Sequence, residues 1–125
     1  MREGKQLVLC VDDDPDILDA LETILTKGGY ACVGAPSAEE GLKVYKKENP
    51  DLILADLMME EVDAGTSFVK ELQAAGNTAP VFLLSSIGDE LSDAVNPADL
   101  GVAGVLQKPV DSDELLKIVG AKLRN

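Results

Sequence analysis

Histidine is absent from the 125 residues. No imidazole can act here as base, nucleophile or phosphoryl carrier, so any phosphohistidine chemistry has to originate in another molecule. Basic charge is scarce as well: 11 Lys and Arg stand against 23 Asp and Glu, a net charge of −12. That balance argues against a nucleic-acid-binding face on this domain, because nothing would neutralise phosphates over a wide area. It favours solubility and complements a basic patch on a partner. Apolar runs of membrane-spanning length are missing, and Met1-Arg-Glu-Gly-Lys5 lacks the apolar core of a signal peptide. The expectation is a cytoplasmic protein with no membrane contact. Cysteine is limited to Cys10 and Cys32, each inside an apolar run. In that compartment both read as small buried thiols, not as a disulfide or a metal site. Internal repeats, linkers and low-complexity stretches are also lacking, and the length suits one domain, residues 1–125.

What is present is an alternation of short apolar runs with helical patterns. Leu7 to Val11 is apolar throughout and ends in Asp12-Asp13-Asp14-Pro15. Proline suits a first helical position, with Asp14 as the cap. Ile17, Leu18, Leu21, Ile24 and Leu25 then form a helical stripe that Gly28-Gly29 terminates. Ala31 to Ala35 is a weaker strand. Ser37-Ala-Glu-Glu40 reads as a capping box opening a helix to about Lys47, which Asn49-Pro50 breaks. Leu52 to Ala55 is a second solid apolar run and delivers Asp56 to its end. A helix from about Thr66 to Ala74 packs through Phe68, Val69 and Leu72. Pro80 to Leu84 is the next buried strand and ends in Ser85-Ser86. Gly88 to Leu100 is helical in part, with a break at Asn96-Pro97. Gly104 to Leu106 is a short last strand before Gln107-Lys108-Pro109, and Asp111 begins the final helix. Uniformly apolar strands alternating with helices predict a doubly wound α/β domain: five parallel strands with helices on both faces.

In a parallel sheet the carboxyl ends of the strands share one edge, where ligands bind in this architecture. Asp12 and Asp13, Asp56, Ser85 and Lys108 all stand at such ends. Each has an ordinary reading taken alone: a helix cap, a loop carboxylate, a turn hydroxyl, a solvated ammonium. Together they place several carboxylates in mutual repulsion, which a divalent cation resolves. An all-oxygen donor set suits Mg²⁺, completed by water and a phosphate. A carboxylate beside that ion can act as nucleophile and form an aspartyl-phosphate. Lys108 and Ser85 would then neutralise and hydrogen-bond the phosphoryl oxygens.

These segments resemble the receiver domains of two-component response regulators. Val8-Leu-Cys-Val-Asp-Asp-Asp-Pro-Asp-Ile17 is similar to the family's opening strand and acidic pair, and Pro50-Asp-Leu-Ile-Leu-Ala-Asp-Leu-Met-Met59 to the segment with the phosphorylated aspartate. Pro80-Val-Phe-Leu-Leu-Ser-Ser86 resembles the strand ending in a Thr or Ser switch residue, and Lys108-Pro109 the family's Lys-Pro pair. The resemblance implies a flavodoxin-like sheet of order 2-1-3-4-5. It implies that Asp56 accepts a phosphoryl group from a phosphohistidine of a sensor histidine kinase or histidine phosphotransfer protein. Asp12, Asp13, Asp56 and the backbone carbonyl of Met58 would hold Mg²⁺, with Ser85 and Lys108 on the phosphoryl group. No catalysis beyond phosphorylation and dephosphorylation of Asp56 itself is implied.

The chain departs from the family pattern in four places. Glu60 replaces a common proline, and Asp63-Ala64-Gly65 stands where an Asp-Gly pair is usual. Val105 occupies the aromatic switch position, Ser86 replaces a usual alanine, and Pro97 interrupts a helix of the usual output face. The site chemistry is therefore expected intact and its coupling to the surface altered. Output from these residues would be binding: to a downstream effector, a kinase, a phosphotransfer protein or a second copy. Competing readings are a phosphate-independent docking module and a Mg²⁺-dependent aspartyl-phosphate phosphatase. The phosphatase is disfavoured by Met58 where a second acid is expected. A flavin domain is disfavoured by three aspartates where a phosphate loop would lie.

Overall fold

The computed structural model describes residues 4–56, 64–85, 103–107 and 111–123. In chain order they form β1 (Leu7–Val11), α1 (Pro15–Lys27), β2 (Ala31–Ala35), α2 (Ala38–Glu48), β3 (Leu52–Asp56), α3 (Ala64–Ala74), β4 (Val81–Ser85), β5 (Gly104–Gln107) and α4 (Ser112–Leu123). All the strand pairs are parallel, in the order β2-β1-β3-β4-β5. This is the expected doubly wound sheet.

The solid apolar runs are explained by burial on both sides. Even-numbered positions of the central strands (Val8, Cys10, Leu54, Leu84) pack with Leu21, Leu25 and Val119 of α1 and α4. Odd-numbered positions (Leu9, Val11, Ile53, Leu83) pack with Phe68, Val69 and Leu72 of α3. Alternate side chains point to opposite faces, so a strand sandwiched between two helical layers has no solvent-facing row. β2 is an edge strand, and its residues are mostly half-buried. Its weaker apolar pattern follows from that position.

Local chemistry sets the helix ends. Asp14 caps α1, its Oδ1 accepting from the Asp16 N–H at 2.9 Å ahead of Pro15 at the first position. At the other end Gly29 takes φ +92°, and Tyr30 N–H donates to Leu25 O at 3.0 Å while Gly29 N–H donates to Thr26 O at 3.1 Å. This pair of bonds is a Schellman cap, and the positive φ is why glycine stands there. Ser37 Oγ accepts from Glu40 N–H at 3.2 Å to open α2, which closes on Asn49 in the left-handed region. Inside α2, Gly41 permits close approach to the sheet. A Cβ there would lie 2.9 Å from Val11 Cγ2 and 3.2 Å from Phe68 Cε1.

Two boundaries differ from expectation. α3 begins at Ala64 instead of near Thr66. First-turn N–H groups need no intrahelical partner, and alanine is the best helix former, so the start extends over two residues expected in the loop. α4 begins at Ser112, with Asp111 ahead of it accepting from Asp113 N–H at 3.3 Å. The partial helix expected over residues 88–100, with its break at Asn96-Pro97, lies outside the described residues, as do Glu60, Asp63 and Ser86. No described helix is long and apolar enough to cross a membrane.

Candidate functional site

The register of the sheet brings two carboxylates side by side. β1 and β3 pair Cys10 with Leu54 and Val11 with Ala55. One further step sets Asp12 opposite Asp56. Both continue the even-numbered rows of their strands, so they leave the sheet toward the same face. Asp12 is fully buried and Asp56 is 4% exposed. Asp12 N–H donates to Ala35 O at 3.1 Å, and its Oδ1 accepts from Asp14 N–H at 2.9 Å. The first carboxylate is thus held by the turn that opens α1. Asp13, between them in sequence, is exposed.

Asp12, Asp13 and Asp56 each offer a ligand oxygen, and these oxygens all lie within 4.8 Å of one another. Burying carboxylates this close is costly unless a cation compensates them. The donor set is all oxygen, with no thiolate or imidazole among the three, which is the chemistry of a hard cation such as Mg²⁺ or Ca²⁺. The residues present therefore fit a divalent metal, and the site sits at the carboxyl edge of the sheet, as expected for an open α/β fold.

The other expected site residues are placed less completely. The backbone of Ser85 ends β4, one step beyond Leu84, which pairs with Asp56. The switch hydroxyl is thus expected from the strand next to Asp56, though the Ser85 side chain lies outside the described residues. Lys108 directly follows Gln107, whose backbone pairs with Ser85. Lys108 and Met58 themselves lie outside the described residues. Val105, in the aromatic switch position, is half-buried and packs on the α2/α3 side of the sheet.

The family model for the response regulator receiver domain matches residues 8–120. The chain belongs to the receiver domain family. Curated relatives agree. The transcriptional regulatory protein GlrR of Escherichia coli K12 is 41% identical over 112 residues, covering 90% of this chain and 25% of GlrR. The probable transcriptional regulator ycf27 of Porphyridium aerugineum is 33% identical over 120 residues, covering 96% of this chain and 49% of that protein. This receiver domain thus spans about a quarter to a half of the length of the relatives it matches. Among solved structures, the CheY-like response regulator receiver domain protein of Methanospirillum hungatei superimposes with a TM-score of 0.86 at 28% identity, covering 96% of this chain and 94% of that one. The family is one of signalling domains, not classical enzymes, and receiver domains typically bind Mg²⁺. The acidic cluster of this receiver domain is fit to hold such an ion.

Two residues that position the site carry no clear signal in the sequence. Asp51 Oδ2 accepts from the Leu7 N–H at 2.7 Å, and Asp51 N–H donates to Leu7 O at 2.8 Å. These bonds lock the start of β1 to the start of β3, which sets the register that later pairs Asp12 with Asp56. Gly41 is the second. It lets α2 lie close against Val11, the residue before Asp12. Its only sequence signal is a glycine where a helix would prefer alanine.

Proposed function

We propose that Asp56 is the phosphoacceptor of a two-component phosphorelay. The observation carrying this reading is the buried Asp12–Asp56 pair, with Asp13 beside it, at the carboxyl edge of a receiver domain. A carboxylate oxygen of Asp56 attacks the phosphorus of a partner's phosphohistidine. The P–N bond breaks, and the electron pair returns to the partner's imidazole. Asp12, Asp13, Asp56 and the Met58 carbonyl would hold Mg²⁺, which would supply charge neutralisation for the phosphoryl oxygens. Lys108 adds a fixed positive charge there, and the Ser85 hydroxyl donates a hydrogen bond to one of the oxygens. With no histidine in the chain, the donor is external: a sensor histidine kinase or a histidine phosphotransfer protein.

Phosphorylation biases a protein-interaction surface instead of opening a substrate pocket. Residues 1–125 act as one receiver domain in the cytoplasm. Its output is contact with a downstream effector protein or domain, or with a second copy. The relatives' names, as transcriptional regulators, favour an effector that controls transcription. The net charge of −12 keeps nucleic acid off this domain itself. Phosphate-independent docking and small-molecule phosphatase activity are not favoured, since the receiver fold and its acidic cluster are both present.

The test is intact-protein mass after incubation with Mg²⁺ and a small acyl-phosphate donor, with Asp56→Asn as control. One phosphate adduct that requires Mg²⁺ and is lost in the control supports the assignment. Absence of an adduct from this donor and from a phosphorylated kinase refutes it.

A further inference from the structure

The acidic cluster occupies the carboxyl edge of the sheet. At the opposite edge, where β1 and β3 begin, lies an open cavity of about 390 Å³ that the phosphoryl chemistry does not use. The ends of three helices wall it: Tyr45 and Asn49 from α2, Gly76 just beyond α3, and Lys122 with Leu123 from α4. Asp51 and the loop over residues 77–80 complete the lining.

These walls are held in place by their own hydrogen bonds. Gln6 Nε2 donates to Leu123 O at 2.9 Å, which fixes the end of α4 against the start of β1. Asn77 Nδ2 donates to Ala79 O at 2.9 Å, and Ala79 N–H donates back to Asn77 Oδ1 at 3.0 Å, pinning the loop ahead of β4. Asp51 Oδ2 accepts from Leu7 N–H at 2.7 Å. By contrast, the Tyr45 and Thr78 hydroxyls and the Asn49 side-chain amide bond no other described residue. A preformed cavity with polar groups to spare is suited to a ligand.

Electrostatics selects the class of ligand. A helix C-terminus carries about half an elementary negative charge. Three such ends meet here, and among the described residues Asp51 is the one carboxylate on the lining and Lys122 the one cation. The negative side sums to roughly −2.5 against +1, so the cavity favours a cation. A bare metal ion is too small for the space, and one carboxylate is a poorer cage than the acidic cluster. A primary ammonium, with three donors and no acceptor, matches a carboxylate surrounded by neutral oxygens. Pro50, Pro80 and Leu123 add apolar surface on which methylenes can lie.

We propose that this cavity binds an alkylammonium ion of the diamine class. Its head group pairs with Asp51 and donates to the neutral oxygens nearby, and its methylenes cover the prolines. The second ammonium is held by the field of a chain whose net charge is −12. The bound ion braces the starts of β1 and β3, whose far ends carry Asp12 and Asp56.

The probe is 1,4-diaminobutane, titrated into the chain in about 0.15 M salt to screen diffuse attraction. Excess Mg²⁺ occupies the acidic cluster, and backbone amide shifts report the site. One equivalent per chain is expected to saturate shifts centred on Asn49, Asp51, Thr78 and Lys122. Lys122 is exposed, so Lys122→Gln keeps the fold; by removing a like charge it should tighten binding about two- to fivefold. Asp51→Asn should weaken binding about tenfold or more, with amide exchange at Leu7 confirming that the strand start is intact. Succinate, of similar length and opposite charge, should leave these amides unmoved. Shifts that do not saturate, or that centre on Asp13 to Glu22, overturn the proposal. So does unchanged or weaker binding in Lys122→Gln, or succinate binding in place of the diamine. Tighter binding of Nα-acetyl-lysinamide than of the diamine also overturns it, because the site would then belong to a lysine of a partner protein.

Discussion

Replacing Asp12 by asparagine separates the charge of the acidic cluster from its hydrogen bonding. Asp12 Oδ1 accepts from Asp14 N–H at 2.9 Å, and an asparagine oxygen can keep that bond. What disappears is one of three negative charges whose ligand oxygens lie within 4.8 Å. At that separation and an effective dielectric constant of about 20, each pair of unit charges repels by about 3.5 kcal/mol. The figure applies best to Asp12 with Asp56, both buried; Asp13 is exposed and its share is screened. Burying an amide nitrogen in place of the second carboxyl oxygen, at a position with no solvent exposure, offsets part of the gain. The expected net effect without metal is a stabilisation of about 2 kcal/mol, or a rise in midpoint of roughly 5–10 °C. Mg²⁺ should narrow the gap. At ten times its Kd it stabilises the wild type by about 1.4 kcal/mol, and it should have much less effect on the variant. The assay is urea and thermal unfolding at pH 8, in a chelator and in Mg²⁺. A variant less stable than wild type in chelator, or an equal Mg²⁺ shift in both proteins, would refute the claim that repulsion at this site is relieved by a cation.

Further outcomes follow from packing and titration. Gly41→Ala should lower stability by about 1 kcal/mol in urea unfolding: overpacking against Val11 and Phe68 costs about 1–3 kcal/mol and helix propensity returns about 1. Equal or greater stability would show that α2 has room to move. Asp51→Ala should cost about 1–3 kcal/mol by leaving the first N–H of β1 without its 2.7 Å acceptor, and Asp51→Asn should cost less. Amide exchange at Leu7 is the direct readout. The Cys10 thiol is pushed well above its ordinary pKa, first by its hydrogen bond with Cys32, then by burial, then by the charges of Cys32, Asp12 and Glu22. Above the ordinary thiol pKa the unfolded chain releases a proton that the folded chain retains, so this contribution to stability is lost as pH rises. The wild type should lose stability relative to Cys10→Ala above about pH 9, with a slope of at most about 1.4 kcal/mol per pH unit. A flat difference from pH 8 to 10.5 would contradict it.

Much of this architecture is legible in the chain because burial on both faces leaves so plain a pattern. Leu7–Val11 and Leu52–Ala55 admit no polar residue, and each terminates in the carboxylate that matters. Helix ends were readable where one residue type answers one steric need, as with Pro15 after Asp14 and Gly29 at positive φ. Relations between strands were harder to read. That the sulfurs of Cys10 and Cys32 lie 3.5 Å apart depends on register, which no single strand encodes. Cys32, expected to be buried, proves half-buried because β2 is an edge. Asp51 reads as any acid after a proline, since its bond to Leu7 spans 44 residues of sequence. α3 starts two residues before its expected position because the loop-like sequence Asp63-Ala64-Gly65 hides a good helix former at Ala64.

The central claim is tested most directly by locating the phosphoryl group. Borohydride reduces an aspartyl-phosphate to homoserine at the acceptor position. The receiver domain is phosphorylated in Mg²⁺ by an acyl phosphate or by a phosphorylated kinase, reduced, digested and sequenced by mass spectrometry. The account predicts homoserine at Asp56, dependent on Mg²⁺ and absent when Asp12 and Asp13 are both replaced by asparagine. Homoserine at Asp12 or Asp13, or labelling of Asp56 that ignores Mg²⁺, would contradict it.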